Sequence, residues 1–394
     1  MKRVLLVGSS FSAAPIFFLL KKRGFHVSVC GSLKTDPCHK YADESYYIDY
    51  SDRDELLRLV ELQNFDFIVP TCNDYSYIAC AWVAECMGYP GFDNYRTAVS
   101  IHTKNEFRYI TEKFEILAPR AKYQQSSRLI DSGGLNFPLL VKPTDSFSGR
   151  GVVKVFDYSE LDSAVAIARQ VARDEDIVLE EYVHGNLHSH SAFIRNGKVA
   201  AEFFVDEFCT VYSYQVNCSN HPSKLSASIQ ANIRATIERL VECLGLKDGL
   251  LHTQFIANAE QYWIIECMRR CPGDLYGDLI ERSTGVGYMD LYLSSFLNEE
   301  IELAPKLSAY KAIGRHTISA NHSVATYAFS HSMPSTKVHI VPLKGSGDLL
   351  EAAPYDKLAI LFFEFNDSLA MFEMTPKLAE FVSIQPLQES YFDN

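Results

Sequence analysis

The stretch Ile264-Ile265-Glu266-Cys267-Met268-Arg269-Arg270-Cys271-Pro272-Gly273-Asp274 places an acid, two arginines and a Pro-Gly turn directly behind a run of apolar residues. Taken alone, it reads as the end of a buried strand carrying a surface salt bridge. Its meaning depends on what the preceding chain builds. Immediately upstream, residues 250–257 and 261–268 make two runs that pair as strands, with Gln254 on the first and Glu266 on the second. Before them, Ile229, Ile233, Ile237, Leu240, Val241 and Leu244 recur at helical spacing until Gly245 stops the helix.

Further towards the N-terminus, residues 177–183 (IVLEEYV) read as a strand bearing Glu180 and Glu181. It leads through Gly185 into an alternating segment that turns at Asn196-Gly197, a strong hairpin signal. Residues 137–143 (FPLLVKP) form a strand ending in Lys142, followed by the loop Asp145-Ser146-Phe147-Ser148-Gly149-Arg150-Gly151 and a strand over 152–155. A polar helical stretch surrounds Lys104-Asn105-Glu106-Phe107-Arg108. Beyond residue 300, 337–341 and 358–363 read as core strands and carry no legible chemistry.

Residues 1 to about 95 alternate strand and helix patterns, starting with Val4-Leu5-Leu6-Val7, which implies parallel βαβ units. Ligands of such sheets lie beyond the strand C-termini, where Gly8-Ser9-Ser10 and Thr71-Cys72-Asn73-Asp74 fall. The first lacks a full GxGxxG, which opposes a dinucleotide-dependent oxidoreductase. Asn73 and Asp74 are candidates for polar substrate groups, and a turn-capping role suits them equally.

With 394 residues, 47% hydrophobic and 22% charged, the chain has material for two or three globular domains. Its ten cysteines show no zinc-type spacing and read as reduced core residues. The apolar run in MKRVLLVGSS is too short for a signal peptide, and nothing approaches the ~20 apolar residues of a membrane span. The expectation is a cytoplasmic protein with no membrane partner. A net charge of −12 argues against nucleic acid, which is bound through excess Lys and Arg.

A lysine at a strand end followed by a Ser/Gly-rich loop suits phosphate: the ammonium is a mobile charge, and small residues let backbone N–H groups approach the oxygens. The loop alone reads equally as a solvated hairpin turn. A half-buried carboxylate such as Glu266 needs a partner, and a divalent cation bridging ATP phosphates is a good one. Arg270 then has a transferring phosphoryl group to neutralise.

The ordered series resembles the ATP-grasp superfamily and, within it, the carboxylate-amine ligases: lysine in a helix, lysine on a strand, Gly-rich flap, acidic-aromatic strand, hairpin, helix, and a strand pair ending in Glu-x-x-x-Arg. The resemblance implies an α/β chain with an N-terminal parallel α/β (pre-ATP-grasp) domain at 1–98 and a two-lobed α+β ATP-grasp fold at 99–300. Its small lobe spans about 105–183 and its large lobe about 184–300, with an α+β extension at 301–394 packed on the large lobe.

It further implies that Lys104 and Lys142 contact ATP phosphates and that the flap, with Ser146, Ser148, Gly149 and Gly151, closes over them. Glu180, Glu181 and Val183 line the adenine slot, and Glu266 holds Mg2+. Arg270 and the Pro272-Gly273 turn face an acyl phosphate, and Asp274 lies near the acceptor substrate. The family's pattern has two metal-bridging acids and an asparagine, but Gln254 and Met268 occupy two of those places here. A glutamine carbonyl coordinates magnesium weakly, and a thioether suits this hard cation poorly. The ribose-binding acid is also missing, leaving Asn186 or His188. His188, His190 and His252 read either as metal ligands or as strand-face residues near a nucleotide.

The leading expectation is an ADP-forming ligase using ATP and Mg2+ on small-molecule carboxylate and amine substrates. The run MRRCPGDLYGDLIERSTG resembles ATP-grasp proteins of bacterial surface-polysaccharide pathways, pointing to an amino acid with a sugar acid or another amino acid. The competing expectation is a nucleotide-binding relative that has lost turnover. Dimers are common among similar proteins, so a homodimer is a resemblance-based expectation.

Overall fold

The computed structural model of the chain describes residues 1–125, 132–144, 149–172, 176–300, 310–335, 337–345 and 347–387. The N-terminal part is a parallel sheet, β1 (Arg3–Val7), β2 (His26–Cys30), β3 (Glu44–Tyr46) and β4 (Phe67–Pro70), in the order β3-β2-β1-β4. Helices α1 (Ala14–Lys22), α2 (Arg53–Gln63) and α3 (Asp74–Met87) provide its crossovers and cover. Val4 to Val7 are fully buried, as the unbroken apolar run of a parallel strand covered on both faces requires. At the C-terminal edge of this sheet, Gly8 has φ +119°, and a Cβ there would lie 2.0 Å from Thr71 Oγ1. That close approach lets the Thr71 hydroxyl donate to the Val7 carbonyl at 2.9 Å.

Helices α4 (Tyr95–His102) and α5 (Lys104–Lys113) lead into a small antiparallel sheet. Its strands are β5 (Ala121–Gln124), β6 (Leu139–Pro143), β7 (Val153–Val155) and β8 (Ile177–Glu181), ordered β5-β8-β6-β7 and backed by α6 (Leu161–Val171). Leu139 and Val141 share a core with Ala164, Val165 and Leu179. Strand alternation therefore turns Leu140 and Lys142 to the other face.

The large sheet begins with β9 (Asn186–Arg195) and β10 (Lys198–Phe208), joined through Asn196 and Gly197, both at positive φ. It continues with β11 (Cys218–His221), then α7 (Ala227–Leu244), then β12 (Gly249–Ala257) and β13 (Tyr262–Met268). Ile229, Ile233, Ile237 and Leu240 of α7 fill one core with Ala192, Phe204, Phe255 and Ile264. On the opposite face lie α8 (Tyr276–Thr284) and α9 (Tyr288–Phe296). The following strands, β14 (Ile313–Ile318), β15 (Tyr327–His331), β16 (Lys337–Pro342) and β17 (Ala359–Glu364), precede α10 (Ser368–Met374) and β18 (Val382–Pro386). Three of them extend the large sheet to the eight-stranded order β13-β12-β9-β10-β11-β14-β17-β16, while β15 pairs with β18. The C-terminal segment, which carried no readable chemistry, is thus wired edge to edge into the sheet that bears Glu266. No helix among the described residues is long and apolar enough to cross a membrane.

Candidate active site

Where α5, the small sheet and the edge strand β13 meet, Lys104, Arg108, Lys142, Glu180 and Glu266 line one pocket. Lys104 and Arg108 stand one turn apart on α5, so they share a face. In register, β6 sets Leu140 opposite Glu180 and Lys142 opposite Val178, which makes Lys142 and Glu180 diagonal neighbours. Glu180 is 2% exposed and accepts Lys142 Nζ, Arg108 Nε at 3.0 Å and Arg108 Nη2 at 2.5 Å. Burial pushes its carboxyl up, but the two cations outweigh this and hold it down to about 2. Lys104 Nζ donates to the Thr144 carbonyl at 3.3 Å. The half-buried Glu266 has no hydrogen-bond or ion-pair partner among the described residues.

Glu266 opposes Gln254 on β12, and Gln254 opposes Ser189 on β9. On the same face, one strand further on, lies Glu207 of β10, whose Oε2 accepts Gln254 Nε2 at 2.8 Å. Strands spaced ~4.8 Å apart put these two backbones roughly 10 Å apart, so both long side chains reach across β9 to meet. Burial raises the Glu207 carboxyl to about 7 against the pull of Arg315, while nearby Glu266 adds to the rise. Two carboxylates and an amide carbonyl are hard oxygen donors of the kind magnesium takes, whereas no cluster of three or more His, Cys, Asp or Glu occurs among the described residues. Met268, 5% exposed, opposes His252 in the sheet.

The two arginines of the opening stretch divide their work. Arg269 is 2% exposed and pinned to Asp93 at 2.7 Å and to the Leu250 and Lys247 carbonyls at 2.7 Å each, a structural clip. Arg270 reaches the first turn of α3, donating to Asp74 through Nε at 2.8 Å and Nη2 at 3.3 Å. Asp74 also meets His102 Nδ1 at 2.9 Å, and His102 Nε2 accepts the Arg269 N–H at 3.1 Å. With Nε2 committed as acceptor, Nδ1 carries the proton given to Asp74. Although burial opposes it, the Arg270 charge and these hydrogen bonds hold the Asp74 carboxyl well below its usual range. Asn73 caps α3 by accepting the Tyr75 N–H at 2.9 Å.

The turn after Arg270 runs through Asp274 and Leu275, both in the left-handed region at φ +55° and +53°. The Asp274 N–H donates to Ser12 Oγ at 3.2 Å, and Gly273 packs beside the same hydroxyl. The Asp274 carboxylate takes Lys357 Nζ and, at 3.3 Å, the Thr317 hydroxyl, while its carbonyl accepts Arg315 Nη1 at 2.8 Å.

Other expected residues lie further out. Glu181 projects from the opposite face of β8 to Glu180, held by Arg120 at 3.0 Å and the Asn136 N–H at 2.8 Å. Val183 is half-buried in the connection from β8 to β9. His188 bonds Asp206 Oδ1 at 2.9 Å and stacks on Phe255 towards α7. His190 shares that face and His252 takes the other, where Ser191 Oγ meets its Nδ1 at 2.8 Å. Ser146 and Ser148 lie outside the described residues. Gly149 and Gly151, both at φ +71°, pack against the Ser213–Tyr214 backbone and against Pro143 and Val171 respectively.

Arg108, Glu207, Arg315 and Lys357 escaped the sequence reading. Arg108 had a signal, its four-residue spacing from Lys104. Glu207 had a weaker one, an acid on the strand after the Asn-Gly turn. Arg315 and Lys357 had none, because only sheet pairing brings them here.

Residues 135–276 match the ATP-grasp domain family. Over 342 residues the chain is 23% identical to the formate-dependent phosphoribosylglycinamide formyltransferase of Prochlorococcus marinus (strain NATL1A), covering 84% of each chain. Among solved structures, the L-amino acid ligase from Bacillus licheniformis superposes with TM-score 0.80 at 18% identity, covering 98% of this chain and 99% of that one. The phosphoribosylglycinamide synthetase from Anaerococcus prevotii gives TM-score 0.76 at 18% identity, with the same coverage. At such identities the likeness is one of fold.

Proposed function

We propose that this chain, which carries an ATP-grasp domain, is an ADP-forming ligase that joins a carboxylate to an amine. The observation that carries the reading is the convergence of Lys104, Lys142 and Arg108 with Glu266 on one pocket, with Arg270 two residues beyond the end of the same strand. Cations from two elements face a carboxylate that lacks a protein partner, which is the pattern a metal-bound polyphosphate completes.

In this reading Lys104 and Lys142 bind the ATP phosphates, with Lys142 exchanging Glu180 for a phosphate oxygen. Glu266, the Gln254 carbonyl and Glu207 would hold Mg2+, which would supply charge neutralisation on the phosphates. An oxygen of the substrate carboxylate attacks the γ-phosphorus and the bond to ADP breaks. Arg270, oriented by Asp74, stabilises the charge on the transferred phosphoryl. The amine nitrogen then attacks the acyl carbon, phosphate leaves, and the nitrogen loses a proton to give the amide. The segment ending in Gly149 and Gly151 excludes water, to which an acyl phosphate is vulnerable.

The proposal divides the chain at about residues 98 and 300, with the last part completing the large lobe's sheet. For the substrates, an amino acid is the first choice, since one fold neighbour is an L-amino acid ligase. A sugar acid from a surface-polysaccharide route has no counterpart in the names of these relatives, which mention phosphoribosylglycinamide or L-amino acids. A non-catalytic nucleotide-binding role is the second reading, favoured by Gln254 and Met268 in the places of a metal-bridging acid and asparagine.

The test is ADP and phosphate release from Mg-ATP against amino acids, uronic acids and amines, singly and in pairs, with Lys142→Ala and Glu266→Gln beside the native chain. Pair-dependent release lost in both variants is expected. Release unaffected by Glu266→Gln would sink the metal assignment, and nucleotide binding without release from any pair would favour the second reading.

A further inference from the structure

Three of the four arginines around the site, Arg108, Arg269 and Arg270, hold a carboxylate. Arg269 has Asp93, Arg108 has Glu180 and Arg270 has Asp74. Arg315, on β14 and 3% exposed, makes no ion pair among the described residues. Its Nη1 donates to the Asp274 carbonyl and its Nη2 to Ser219 Oγ, each at 2.8 Å, while its Nε has no partner. Burying a guanidinium without a directly bonded carboxylate is costly, and an anionic ligand lowers that cost. The carboxylates of Glu207 and Asp274 lie near enough to feel its charge, but neither forms an ion pair with it, and Asp274 already holds Lys357.

Arg315 also shares a face with the candidate site. Register runs from Glu207 to Ser219 on β11 and from Ser219 to Arg315 on β14, so Arg315 stands on the face that carries Glu207, Gln254 and Glu266. The carbonyl that orients it belongs to Asp274, one of two consecutive non-glycine residues in the left-handed region, a conformation that surrounding structure must enforce. Asp274 follows Arg270 by four residues, so a ligand at Arg315 lies a short span from the phosphoryl-handling end of the site.

We propose that Arg315, oriented by Ser219 and the Asp274 carbonyl, is a second oxyanion site that takes a carboxylate or phosphate group on a substrate, apart from the group being activated. This deepens and rests on the ligase reading: at least one of the joined substrates carries an additional anionic group. A free Nε beside positioned Nη atoms suits the two oxygens of such a group, which a lysine's point charge would hold with less geometric specificity.

The experiment is calorimetric titration of the full chain, saturated with MgADP so that the nucleotide-phosphate pocket is filled. Malonate serves as the carboxylate probe and inorganic phosphate as the phosphate probe, each tested on the native chain, Arg315→Gln, Arg315→Lys and Lys142→Ala. One probe is expected to bind the native chain and to lose about tenfold or more in affinity in Arg315→Gln, with a smaller loss in Arg315→Lys. Which probe binds names the source of the oxyanion. The proposal is overturned if neither probe binds, if affinity is the same in both Arg315 variants as in the native chain, or if only Lys142→Ala weakens it. Should Arg315→Gln not fold, the charge-conserving Arg315→Lys decides alone: weakened binding supports the site and unchanged binding overturns it. Failure of the ligase reading would show separately, as absence of pair-dependent ADP release with Arg315-dependent anion binding intact.

Discussion

Arg270, at the end of the β13 run, clamps the carboxylate of Asp74 in the first turn of α3, at 2.8 and 3.3 Å, across 196 residues of chain. The fork geometry fixes the guanidinium plane, and His102 fixes Asp74 in turn. A residue on the N-terminal parallel sheet's helix thereby sets the orientation of the arginine proposed to face the transferred phosphoryl.

Asp74→Asn should therefore damage turnover far more than folding. The Asp74 side chain keeps 39% of its exposure, so the ion pair contributes about 1 kcal/mol or less to stability. Loss of orientation is expected to lower kcat about tenfold or more with the melting temperature nearly unchanged. A large stability loss with kcat intact would make the pair structural only.

Glu180→Gln should do the reverse before any substrate is added. It leaves Lys142 and Arg108, whose side chains are 12% and 14% exposed, without their counter-charge. Breaking a buried pair this way costs on the order of 3 kcal/mol, readable as a lower urea midpoint at neutral pH. A midpoint within error of the native chain would show that the cations are solvated.

The same carboxylate gives an acid limb to stability. Its folded-state pKa is held at about 2, below the usual 4.5, so its contribution is complete above that usual value and is lost as pH falls towards 2. Denaturation midpoints measured from neutrality down through this window should fall more steeply for the native chain than for Glu180→Gln. Parallel curves would contradict the assignment.

Glu207 should act through Gln254. Glu207→Ala removes the acceptor at 2.8 Å that fixes the amide, while Glu207→Gln keeps one. The Mg2+ concentration giving half-maximal ADP release is expected to rise about tenfold in the alanine variant and much less in the glutamine variant. Equal behaviour of both variants and the native chain would remove Glu207 from the site.

What the sequence by itself determined was local. Apolar runs over β6, β12 and β13 and the helical recurrence in α7 are set by which side chains must leave water, so they are legible without neighbours. The order of those elements, with Lys104, Lys142 and Glu266 on them, was enough to suggest the fold and the pocket. The resemblance put Glu180 and Glu181 in one slot, whereas strand alternation parts their side chains to opposite faces. Which strand lies beside which was decided only in the tertiary structure, because pairing is a long-range choice that local period does not encode. Glu207 meets Gln254 by reaching across β9, and Arg315 arrives because β14 pairs with β11. Lys357, just before β17, closes on Asp274 for the same reason: a sheet edge left open by β11 recruits the C-terminal strands and carries their cations to the site.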